Sequence, residues 1–143
     1  MSDKYFIDTN IFVYSFDTEN PQKNDIAKRL IADALENGTG IISYQVIQEF
    51  LNVATQKFAK PLTFKDSQRY LNVVLESLCE VFSSTELFHK ALEIINQWKY
   101  PFYDSLIIAA ALQGDCAVIY TENMQHDQTI RDLTIKNPFI DSP

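Results

Sequence analysis

The sequence predicts an α/β/α sandwich built on a mostly parallel central sheet. Short apolar runs alternate with amphipathic helical stretches, repeatedly in the order strand then helix, and this pattern is the signature of a sheet covered on both faces. An apolar content of 46% in 143 residues supplies one sizeable core and not two, so the chain reads as a single domain over residues 1–143. No internal repeat, low-complexity segment or linker interrupts the order.

The opening run "YFIDTNIFVY" begins with an apolar strand that ends at Asp8. Next, "ENPQKNDIAKRLIADALENG" places Pro21 near its start, Ile26, Ala27, Leu30, Ile31, Ala34 and Leu35 at helical spacing, and Gly38 after its end. "TGIIS" is a second strand. Its last residue, Ser43, is positioned to cap the helix "YQVIQEFLNVATQKF", in which Val46, Ile47, Phe50, Leu51, Ala54 and Phe58 share a face. The segment 57–63 reads as the main surface excursion. A further helix starts at Thr63 in "KPLTFKDSQRYLNVVLESL", "EVF" is a third strand, and "SSTELFHKALEIINQWK" is a helix capped by Ser83 or Ser84. "PFYDSLIIAAALQGD" is a helix started after Pro101 and closed by Gly114; the strand "AVIYT" and one short element before "NPF" complete the chain.

Composition excludes several classes. No stretch reaches the roughly 20 apolar residues that span a bilayer, and the start "MSDKYF" carries no export signal, so a cytoplasmic protein with no membrane partner is expected. Cys79 and Cys116 read as buried free thiols, because neither sits in a CxxC or Cys/His metal spacing. The three glycines form no phosphate-cradling loop, which removes Walker and dinucleotide-binding functions. A formal charge of -7 argues against a general nucleic-acid coat, yet carboxylates gathered in one cleft would hold a hard divalent cation that can meet phosphate.

Four segments carry such carboxylates toward one edge. In open α/β sheets the ligand site lies beyond the carboxyl ends of the strands, where Asp8 follows "YFI" and Thr121, Glu122 and Asn123 follow "AVIY". Glu49 lies at the border of the apolar face of its helix. Asp104 stands at the start of an apolar helix, either capping free N–H groups or pointing into a cleft. Asp8 demands the most explanation, since an acid closing a buried strand needs a partner or a cation to offset its desolvation. His89 and His126 are simplest as surface or loop residues.

Taken together and in order, "FIDTNIFVY", "ISYQVIQEFLNV", "YPFYDSLIIAAAL" and "IYTENMQHDQTI" with "TIKNPF" resemble a PIN-domain ribonuclease of the VapC-toxin type. The resemblance spans nearly the whole chain. It implies that Asp8, Glu49 and Asp104 are the first three acids of the site. At the fourth position the chain departs from the family pattern: Asn123 stands where an acid is usual and Asp127 where Gly is usual. Glu122, adjacent, and Asp127, one turn beyond if the segment is helical, are the residues that could restore the charge.

The resemblance implies an endoribonuclease dependent on Mg²⁺ or Mn²⁺, probing RNA as substrate, with a cognate antitoxin protein and a second copy of the chain as partners. Asp8 and Asp104 are then the principal metal ligands, Glu49 an outer ligand or orienter of water, Glu122 a further metal candidate, and Thr9, Asn10, Ser43 and Thr121 hydrogen-bonding support. Lys57, Lys60, Lys65 and Arg69, interleaved with Phe58, Phe64 and Tyr70, are either an RNA guide or a solvated helix face. The alternative function is a catalytically weak PIN fold that acts by binding RNA or protein. A haloacid-dehalogenase-like phosphatase fits poorly, because it needs a second acid where this chain has Asn10.

Overall fold

Buried apolar strands and the connections between them fix the position of the site. The structure is a computed structural model and describes residues 3–140; the expected single domain over 1–143 extends beyond these at both ends. Strands β1 (Tyr5–Ile7), β2 (Gly40–Ser43), β3 (Cys79–Val81), β4 (Val118–Tyr120), β5 (Thr129–Ile130) and β6 (Leu133–Lys136) form one sheet in the order β3-β2-β1-β4-β6-β5. Every neighbouring pair is parallel except β5 with β6. Where one short final element was expected, the chain folds into the antiparallel β5–β6 hairpin.

Helices flank this sheet: α1 (Thr9–Tyr14), α2 (Pro21–Asn37), α3 (Tyr44–Gln56), α4 (Phe64–Tyr70), α5 (Glu76–Leu78), α6 (Thr85–Trp98) and α7 (Phe102–Gln113). A π-helical segment (Leu71–Leu75) joins α4 to α5, so the single helix read from Thr63 has a wide turn inside it. Successive residues of a strand face opposite sides of a sheet. At β2 a Cβ on Gly40 would meet Ala34 of α2 at 2.4 Å, whereas the Ile41 side chain lies against Gly114 at the end of α7. Helices α2 and α7 therefore cover opposite faces, and only a glycine lets α2 approach so closely.

Helix boundaries follow local chemistry. Gly38 ends α2 with φ 69°, and Thr63 and Ser84 accept backbone N–H bonds as caps of α4 and α6. Ser43 precedes α3 at the capping position, but its hydroxyl makes no capping bond and is buried without a partner. Helix α1 was not legible in the sequence. Apart from Asn10, its residues "TNIFVY" are β-branched or aromatic, which favours a strand locally; burial of Ile11 and Phe12 and a cap from Asp8 override that preference. Cys116 is buried, with burial pushing its thiol pKa up to about 12, while Cys79 is only half-buried, which corrects the expectation of two buried thiols. Among the described residues, no helix is long and apolar enough to cross a membrane.

Candidate active site

From β1 the chain moves outward to β2 and β3, then returns to place β4 on the other side of β1. The β1/β4 boundary is thus a topological switch point, where neighbouring connections diverge and leave a crevice at the carboxyl ends. Asp8 follows β1, and Thr121 to Asn123 follow β4. Complete burial of Phe6 and Ile7 contributes about 1.5–3 kcal/mol each and pins the strand that presents Asp8.

The resulting cleft, about 480 Å³, is lined by Asp8, Glu49, Asp104, Glu122 and Asn123, together with Thr9, Asn10 and Tyr14. Asp8 is only 6% exposed. Its Oδ1 accepts from the Thr9 backbone N–H at 2.7 Å, making it the N-cap of α1, and its Oδ2 accepts from the Thr121 hydroxyl at 2.8 Å. Burial raises its pKa to about 6; the Thr121 and Thr9 bonds oppose this shift and the neighbouring Glu49 and Asp104 charges add to it.

Thr9 joins two acids, because its hydroxyl also donates to Glu49 Oε1 at 2.6 Å. The other Glu49 oxygen accepts from Gln45 Nε2 at 3.1 Å, and Gln45 donates as well to the Tyr103 carbonyl at 3.3 Å. Gln45 therefore fixes Glu49 against the start of α7. The i, i+4 spacing of Gln45 and Glu49 on α3 is the one signal that could have revealed this role. Asp104 lies in the first turn of α7 rather than at its cap, which is Pro101, and faces the cleft. Burial, followed by the Glu49 charge, raises its pKa.

Asp8, Glu49 and Asp104 take part in no ion pair among the described residues. Glu122 differs. Its Oε2 accepts from Lys23 Nζ at 2.5 Å and its Oε1 from the Tyr14 hydroxyl at 2.6 Å. Burial pushes its pKa up, but these two partners outweigh it and hold the carboxyl below the ordinary value. Lys23 and Tyr14 were missed in the sequence, since nothing local links them to residue 122.

Thr121 organises the loop after β4. Its hydroxyl oxygen accepts from Asn10 Nδ2 at 3.3 Å and from the Asn123 N–H at 3.2 Å, while Asn10 Oδ1 accepts from the Glu122 N–H at 3.3 Å. Asn123 itself is exposed at the cleft wall. Among the described residues, no three His, Cys, Asp or Glu side chains close on a single point. The donor set nevertheless suits Mg²⁺ or Mn²⁺: it is all oxygen and lacks counter-charge, and Mg²⁺ needs only one or two direct carboxylates because it keeps several waters.

A family model described as PIN domain matches residues 5–131. The chain belongs to the PIN domain family. No curated protein matches it in sequence. Among solved structures, a chain of a toxin–antitoxin complex from Klebsiella pneumoniae is similar at 19% identity and TM-score 0.65, over 94% of this chain and 98% of that one. VapBC2 from Rickettsia felis, solved with a DNA fragment from its promoter, is similar at 23% identity and TM-score 0.64, over 93% and 97%. VapC20 from Mycobacterium tuberculosis, a sarcin-ricin loop cleaving toxin, is similar at 17% identity and TM-score 0.63, over 84% and 90%. These likenesses establish the shared fold.

Two supporting residues expected of the PIN site stand apart from the cleft. The segment from Thr121 to Gln128 is not helical, so Asp127 is not one turn beyond Asn123; it has φ 69° and pairs with Lys136 and His126. Ser43 makes no contact with the acids through its unpartnered hydroxyl. The basic residues are dispersed also. Lys57 and Lys60 border a separate groove with Asp17 and Glu19, Arg69 borders another, and Phe58 and Tyr70 pack into an aromatic cluster with Phe16 and Phe50, leaving Phe64 exposed.

Proposed function

We propose that this PIN domain is a Mg²⁺- or Mn²⁺-dependent endoribonuclease, the toxin of a type II toxin–antitoxin pair. The observation that carries the proposal is the meeting of Asp8, Glu49 and Asp104, from three separate elements, in one cleft without an ion pair. Burial, with a smaller contribution from the neighbouring carboxylate charges, raises the pKa of Asp8 and of Asp104, and a divalent cation would offset both costs. Asp8 and Asp104 would hold the ion, which supplies Lewis-acid charge stabilisation to a phosphodiester. Glu49, locked by Thr9 and Gln45, orients the attacking water. Thr121 holds the Asp8 carboxylate on one side of the cleft.

An antitoxin protein and a second copy of the chain are the partners this reading carries. The toxin–antitoxin structures named above support the first. Exposed Phe88, Phe102 and Tyr103, in ring contact with one another, support the second, because such an apolar patch is normally covered. The test is cleavage of a defined single-stranded RNA with Mg²⁺, with Mn²⁺ and with a chelator. Metal-dependent cleavage is expected, reduced about a hundredfold or more by Asp104→Asn. Equal rates with and without metal would contradict the proposal. The second reading, a PIN fold that binds without turnover, is favoured only by Asn123, and binding of RNA without cleavage in either metal would establish it.

A further inference from the structure

An RNA chain must approach a cleft whose floor is acidic, so some fixed positive charge near the rim is chemically required. Lys23 has the geometry for it. Its ammonium donates to Glu122 Oε2 at 2.5 Å and to the Tyr14 hydroxyl oxygen at 3.3 Å, both groups lining the cleft. It also lies 4.7 Å from the centre of the Tyr14 ring and 5.5 Å from that of Phe139. The Lys23 side chain keeps 36% exposure, so the cage fixes the charge without hiding it.

Stability does not account for this arrangement. A partly exposed ion pair contributes little to folding, and Lys23 stands in the first turn of α2, where the helix dipole opposes a cation. Two of its three N–H donors serve Glu122 and Tyr14, so Lys23 stands behind the cleft lining, joined to it through these two groups and still partly exposed. Lys57, Lys60 and Arg69, by contrast, border other grooves and touch none of the cleft acids.

We infer that Lys23 is the RNA-phosphate contact of this cleft, gripping a phosphate beside the scissile one, and that Glu122 and Tyr14 serve as its anchor rather than as metal or catalytic groups. The inference rests on the nuclease reading and adds to it a substrate-binding residue and a role for Glu122.

The experiment measures steady-state cleavage of a short fluorescein-labelled single-stranded RNA with Mg²⁺ over a range of salt concentrations. In parallel it measures anisotropy of the same RNA with Ca²⁺ in place of Mg²⁺, and thermal unfolding of each variant. Lys23→Gln is expected to raise KM about tenfold, to leave kcat within about twofold, and to make the salt dependence of kcat/KM shallower by about 0.7 of a log unit per log unit. Lys23→Arg should restore KM and the salt slope. Glu122→Gln, which frees the ammonium from its anchor, should shift KM in the same direction by a smaller factor. Wild-type KM and salt slope in a folded Lys23→Gln, with cleavage intact, would overturn the inference alone. A fall in kcat with unchanged KM would also overturn it, by assigning the pair to the chemical step. Neither binding nor cleavage of RNA by the wild type would overturn the inference together with the nuclease reading.

Discussion

Asp8 and Glu122 stand beyond the ends of adjacent strands and line the same cleft, yet the fold treats them in opposite ways. Asp8 is buried, receives only neutral hydrogen-bond donors, and has its pKa raised to about 6. Glu122 is less buried, receives an ammonium and a phenol, and has its pKa lowered. The cleft therefore has two electrostatic halves. One is a trio of carboxylates, Asp8, Glu49 and Asp104, that take part in no ion pair among the described residues. The other pairs its carboxylate with an ammonium that stays partly exposed. Proximity to the crevice is thus no guide to a carboxylate's role; the charge already beside it decides.

The largest effect that sharpens this contrast is on stability. A carboxyl with a raised pKa binds its proton more tightly in the folded state than in the unfolded chain. The metal-free protein is therefore expected to lose stability as pH rises from about 4 to about 6 through this group, the folded state being the proton-rich one. Asp8→Asn keeps the shape and the acceptor for the Thr9 N–H and removes the charge, at the cost of the bond from the Thr121 hydroxyl. It should stabilise the metal-free protein at pH 7 by about 1–3 kcal/mol, read by urea denaturation in chelator, with the gain shrinking toward pH 4. A loss of stability at pH 7 would show that Asp8 is a structural acid.

A smaller effect concerns the fourth position. Asn123 contributes a carbonyl without charge where the family pattern usually has an acid. Because the residue is exposed, solvent screens whatever charge is added there. Asn123→Asp is expected to raise cleavage at limiting Mg²⁺ by about two- to tenfold, no more than about 1.4 kcal/mol. A flat Mg²⁺ titration would place residue 123 outside the metal's reach.

Much of this was legible in the sequence, for identifiable reasons. Asp8 was readable because it ends an apolar strand and the strand-end rule fixes its edge, whereas Glu49 and Asp104 lie on helices whose local pattern left a solvated edge and a plain cap open, and only the family resemblance singled them out. Four of the strands were readable likewise, whereas β5 and β6 escaped because a hairpin of two- and four-residue strands carries little periodicity. Helix α1 hid behind β-branched residues whose strand preference only tertiary burial overrides. The condition on which Asp127 could join the site, a helix running on from residue 123, is not met where the backbone turns through φ 69°. The Lys23–Glu122 pair spans 99 positions, and no local chemistry encodes a contact at that separation.

The central claim is that the unneutralised acids, and not the paired one, hold the ion. Isothermal calorimetry with Mn²⁺ on wild type, Asp8→Asn and Glu122→Gln tests it most directly. The account predicts that Asp8→Asn weakens binding at least about tenfold, about 1.4 kcal/mol, while Glu122→Gln stays within about threefold of wild type. Equal affinity in wild type and Asp8→Asn, or a tenfold loss in Glu122→Gln alone, would contradict it.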